Sequence, residues 1–198
     1  MDISILGMIV AAAAAMLVIW LILAFNGLVR LRNRVQSGWS DVDVQLARRH
    51  DLVPNLVEAS KGYMQHERSV LEDVTLAQTQ AAACGTNVPE RALAEASLTG
   101  ALSRFFVHVE NYPALRAVES MKILQEQLTS TENRIAFARQ YYNDEVMKYN
   151  IARTSFPRNL FANALGFGPA AMYAAEAGDR ELTPVRISES GLPSSDVG

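Results

Sequence analysis

Charge is missing from the start of this chain: between Asp2 and Arg30 there is neither an acid nor a base. Cysteine is nearly missing too. Cys84 stands alone, so no internal disulfide can form, which fits a reducing compartment. The three histidines, His50, His66 and His108, have no second His or Cys three or four residues on, so no helical metal pair exists. His66-Glu67 lacks the second histidine of a zincin helix. Glycine and proline are rare from residue 28 to 153, and no stretch alternates at period two, which excludes a sheet. There is no Lys/Arg block beyond residue 34, and the net charge is −3 with a pI near 5.6. That balance argues against a nucleic-acid binder held by phosphate contacts. No glycine-rich phosphate loop and no nucleophile elbow occurs, so no cofactor or small-molecule substrate is indicated.

What is present begins with the uncharged run. Ile3 to Phe25 is Ile, Leu, Val, Ala and Met with Trp20 near its end. As a helix it would be about 35 Å long, enough to cross a hydrocarbon core. A cleaved leader needs a basic n-region, a shorter apolar core and a small-residue cleavage site; this run has none of these, so it reads as an uncleaved anchor over residues 1–25. Arg30, Arg32 and Arg34 crowd its exit. The positive-inside rule then puts the N-terminus outside and the body from residue 26 in the cytoplasm. Within the run Gly7, Ala11 and Ala15 recur every four residues, a line that lets helices approach closely in lipid, for self-association or packing on another span. Alanine-rich spans also show this spacing by chance.

The middle reads as long helices. Leu28, Leu31, Val35, Trp39, Val42 and Leu46 step by 3, 4, 4, 3 and 4, a buried helical stripe. It resumes at Val53, Leu56, Val57, Met64, Leu71 and Val74. The first helix is therefore expected to run nearly continuously to about Ala82, kinked where Pro54 removes a hydrogen bond. Gly85 to Pro89 breaks it. A second helix is expected from Pro89 to Glu110, ended by Asn111-Tyr112-Pro113. A third runs from Pro113 to about Arg153. Thr129 and Glu132 have capping-box spacing, opening a separate helix or lying mid-helix. The expected fold is all-α: an anchor, then an elongated antiparallel bundle of three to four long helices over residues 26–155.

Residues 156–168 form a short amphipathic segment. It holds Phe156, Leu160, Phe161, Leu165 and Phe167 against one charge, Arg158. It is too short to span a bilayer and would bury its apolar side in the bundle's end, in the membrane interface or in a partner. Residues 169–198, with acids, serines and three prolines, are expected to be a flexible acidic tail.

Four ordered segments resemble the LemA family of bacterial membrane proteins: Trp39–Leu46, Arg48–Glu58 with Lys61-Gly62-Tyr63, Asn111-Tyr112-Pro113, and Thr131–Asn150 leading to Phe156-Pro157. The likeness covers about residues 26 to 168; His50 stands where the family usually has Tyr, and Ala47 where Lys is common. The resemblance implies a bacterial plasma-membrane anchor, a bundle of long antiparallel helices and no established enzymatic activity. It also implies association with a membrane zinc metalloprotease of the heat-shock type.

Arg48, Arg49, Asp51, Asn55 and Glu58 are the polar residues that stand out. Asp51, Asn55 and Glu58 share one helix face, which Glu132-Asn133-Arg134, Arg139, Asn143 and Asn150 can meet from another helix. That is either a register-fixing network between helices or a partner contact. Ser40, Asp41 and Asp43 beside Trp39 suit solvated carboxylates better than acid–base catalysis. The functional expectation is a non-enzymatic, single-span, oligomeric scaffold or regulatory partner of a membrane complex. A membrane-remodelling or coat-like protein is one alternative. A hydrolase using Asp41, Asp43 or Glu58 is another, and a deep polar pocket around those carboxylates would mark it.

Overall fold

A computed structural model describes residues 3–173, and among these there is no strand. The helices are α1 (Ile3–Lys61), α2 (Arg68–Ala83), α3 (Val88–Val109), α4 (Pro113–Arg116), α5 (Glu119–Thr154) and α6 (Asn159–Ala162). The all-α expectation holds. The acidic part of the tail, residues 174–198, lies outside the described residues.

Side-chain pairs give the directions. His108 of α3 meets Glu67 just before α2, so α2 and α3 form an antiparallel hairpin. Asp43 pairs with Arg91, and Arg49 with Glu95, so α1 and α3 run parallel. Arg49 pairs with Glu132 and Trp39 packs on Tyr142, so α5 returns antiparallel to α1. The far end is thus a four-helix bundle of α1, α2, α3 and α5. Closer to the apolar run only α1 and α5 continue, joined by residues 156–173. Gly38 makes their approach close: a Cβ there would lie 3.3 Å from the Tyr142 Cα.

The first helix departs from expectation. Pro54 lies inside α1 without ending it, and α1 stops at Lys61. The chain then reverses through Gly62–Glu67, where the Tyr63 and Met64 amides donate to the Ser60 carbonyl at 3.0 and 2.9 Å. The expected continuous helix to Ala82 is therefore two antiparallel helices. The stripe concealed this because Met64, in the turn, is itself fully buried beside Leu56 and Leu71 at a helix-like spacing. The break at 84–87, Pro89 in the first turn of α3 and the stop before Pro113 match the reading. The third helix is interrupted at Ala117 and Val118, and Thr129 lies within α5, where its hydroxyl donates to the Gln125 carbonyl at 2.9 Å.

The core forms three clusters along the long axis. Val53, Leu56, Met64, Val74, Leu98, Phe105, Leu115 and Met121 fill the far end. Val42, Leu46, Ile135, Tyr142 and Val146 fill the middle, and Leu28, Tyr149, Ala162 and Phe167 the near end. Trp39, half-buried, packs edge-on to Tyr142 at 5.5 Å, with the Arg91 guanidinium over its indole. From Met8 to Leu23 the side chains of the apolar run are exposed, and this helix is long and apolar enough to cross a membrane.

Candidate functional site

The polar pattern at 48–58 divides in two. Arg49, on the same side of α1 as Leu46 and Val53, is fully buried. Its Nη1 donates to Thr99 Oγ1 at 2.8 Å and to Glu132 Oε2 at 2.7 Å; its Nη2 donates to the Glu95 carbonyl at 3.3 Å and to Glu95 Oε2. His50 Nε2 lies 3.0 Å from Glu95 Oε1. Burial alone would push the Glu95 carboxyl up. The His50 imidazole beside Oε1 and the charge and hydrogen bond of Arg49 outweigh it and hold Glu95 below the ordinary carboxylate range. The cluster ties α1 to α3 and α5, which is the register-fixing role of a buried network. Glu132 was legible as a facing residue; Glu95 was not.

Arg48, Asp51, Asn55 and Glu58 are instead exposed. Asn55 Nδ2 donates to the Asp51 carbonyl at 3.3 Å, and Glu58 accepts from Lys61 Nζ at 2.6 Å. Among the described residues this face is exposed. Asp43 is engaged by Arg91 at 2.6 Å, and five well-formed cavities among the described residues are lined by side chains other than Asp41, Asp43 and Glu58.

A second polar assembly has no counterpart in the sequence reading. Residues 168–173 run extended through the groove between α1 and α5, and Tyr142, Asn143, Tyr149 and Asn150 hold their main chain. Asn150 donates to the Ala170 carbonyl at 2.8 Å and accepts from the Ala170 amide at 3.0 Å. Asn143 does the same for Tyr173, at 3.1 and 2.8 Å. Tyr142 donates to the Ala171 carbonyl at 2.8 Å and Tyr149 to the Gly168 carbonyl at 2.7 Å. Burial pushes the Tyr142 phenol up, which keeps it a donor. Seven residues of helix and three of extended chain both rise about 10 Å, so the two Tyr-Asn pairs meet the chain in register. Tyr173 closes the strap, buried against Trp39 under the Arg139 guanidinium. Residues 169–173, expected at the start of the flexible tail, are thus packed on the bundle.

The three phenylalanines expected to act together point to different places. Phe167 is buried against Leu28 and Tyr149 and stacks edge-on to Phe25 at 5.4 Å. Phe161 meets Trp20, inside the apolar run, at 6.0 Å. Phe156 is exposed. Gly7, Ala11 and Ala15 are exposed on α1, and a Cβ at Gly7 would have nothing within 4 Å. Among the described residues no group of acidic, His and Cys side chains suits a metal ion, and Cys84 is half-buried.

Comparison with known proteins adds relatives to this geometry. A family model described as the LemA family matches residues 38–188. Magnetosome proteins MamQ 1 and MamQ 2 of Paramagnetospirillum magneticum (strain AMB-1) are each 26% identical over 199 aligned residues, covering 87% of this chain and 73% of theirs. Magnetosome protein MamQ of Magnetospirillum gryphiswaldense is 24% identical over the same shares.

Proposed function

The chain belongs to the LemA family, and from that premise we propose that it is a single-span, non-enzymatic scaffold that assembles in the membrane and presents its helical bundle to a membrane complex. The family, the MamQ relatives and the N-terminal apolar helix support a membrane-associated helical protein. The observation that carries the scaffold reading is the continuity of α1. Fifty-nine residues of helix lead from the apolar run into the bundle without a break, a rod about 90 Å long. A span that packs on another span therefore fixes the bundle attached to it. The uncovered Gly7, Ala11 and Ala15 line supports packing within the membrane. The open Arg48, Asp51, Asn55 and Glu58 face supports a partner contact above it. A membrane zinc metalloprotease, the association the family resemblance implies, is the first partner to test.

The experiment is photo-crosslinking in intact cells, with a benzophenone amino acid at Ala11 or at Asn55. The expected result is a discrete adduct from position 11 with another span, and one from position 55 with a soluble domain of the partner. No adduct from either position would contradict a scaffold.

A further inference from the structure

Residues 156–165 leave an apolar surface bare at one defined height. Phe156 is 80% exposed, Leu160 73% and Leu165 51%, on a turn and short helix that do not bury them in the bundle. The same segment leans on α1 inside the uncharged run. Phe161 meets Trp20 edge-on, and Phe161, Ala164 and Leu165 face Leu21, Ile22 and Phe25 across an apolar cleft. Trp20 lies ten residues before Arg30, so the segment reaches about 15 Å below the arginine cluster.

We propose that residues 156–165 are a second membrane contact, a wedge lying in the bilayer interface beside the span with Phe156, Leu160 and Leu165 among the lipid chains. The inference rests on the reading that the apolar run crosses the bilayer: whatever surrounds Trp20 to Phe25 also surrounds the segment packed on them. Charge points to the same occupant. Arg30, Arg32, Arg34, Arg153 and Arg158 lie in residues 3–40 and 146–173, which contain no acidic residue. Arg158 lies beside Gly27, and Arg153 donates to Asn163 Oδ1 at 2.6 Å. Bare aromatic and aliphatic side chains next to a cluster of arginines are the pattern of an element lying in an anionic interface. Buried Phe167 and the strap of residues 168–173 hold the wedge at that height.

The test uses the full chain with Cys84→Ser in phosphatidylcholine–phosphatidylglycerol nanodiscs, carrying one nitrobenzoxadiazole label. Leu160→Cys reports the wedge and Leu17→Cys the span; Phe137→Cys, on an exposed α5 position, reports water. The expected result is strong quenching by doxyl lipids at 17 and 160, at least twofold greater at 160 than at 137, with iodide quenching only at 137. Iodide quenching at 160 equal to that at 137 would overturn the proposal. So would protection of 160 from both quenchers, which would mean that protein covers it. Loss of lipid quenching at 17 would overturn the span, and the wedge with it.

Discussion

Arg49 and Glu95 show how much of this bundle turns on two residues. Both are fully buried and bonded to each other. Removing one leaves the other buried with its second partner, Glu132 for Arg49 and His50 for Glu95, which costs up to about 3–5 kcal/mol, whereas replacing both by apolar residues of similar size is far milder. Glu95→Leu and Arg49→Met are each expected to lower urea stability by that amount, and the double variant by much less than the sum. Additive losses would show that the two side chains do not act as a pair. The lowered Glu95 carboxyl also sets a pH dependence. Its folded-state value lies below its unfolded one, so its contribution is complete above the ordinary carboxylate range and is lost as pH falls through the folded value. Stability measured from pH 6 downward should fall in wild type, and the part due to Glu95 should vanish in Glu95→Gln. The sequence offered one clue to Glu95 that hydrophobicity hides: it sits three residues before Leu98, in phase with the buried stripe of α3. Polar positions are assigned to the surface by default, and only the facing Arg49 reverses that.

At the scale of elements, spacing served well where punctuation was strong and failed where a turn kept the helical phase. Gly85-Thr86-Asn87-Val88-Pro89 and Asn111-Tyr112-Pro113 ended helices as expected. Gly62 alone did not reveal the reversal after Lys61, because Met64 continues the buried pattern through it. The strap escaped for another reason. Residues 168–173 have no periodicity of their own, and their order comes from main-chain bonds to two Tyr-Asn pairs seven residues apart on α5. Asn143 and Asn150 were legible as inward-facing polar residues, but not their target. A hydrogen bond contributes about 0.5–1.5 kcal/mol, so losing a pair costs about 1–3 kcal/mol. Asn143→Ala with Asn150→Ala should therefore speed amide exchange at Ala170 and Tyr173 by about tenfold or more, with little effect at Leu56 or Phe105. Unchanged exchange at 170 and 173 would show that Tyr173 packing alone holds the strap.

In the whole molecule, α1 carries the apolar run and the first helix of the bundle in one rod. With Arg30, Arg32 and Arg34 at the end of the apolar run, the positive-inside rule predicts a body in the cytoplasm. A maleimide that cannot cross membranes should label Cys84 in lysed cells and miss it in intact ones; equal labelling in both would reverse the orientation. The N-terminal apolar helix and the bundle were legible because a charge-free run and a 3–4 spacing are strong signals. The fold-back of residues 156–167 onto Trp20 and Phe25 was left open by sequence, since an apolar segment does not say which apolar surface it meets. Native mass measurement of the full chain after gentle extraction reads assembly through the apolar helix. A species heavier than the 21.7 kDa chain is expected, either a multiple of it or a complex with a partner, and it should dissociate in Gly7→Leu/Ala11→Leu while helicity is kept. A lone 21.7 kDa chain at every concentration, or an assembly indifferent to those substitutions, would contradict it.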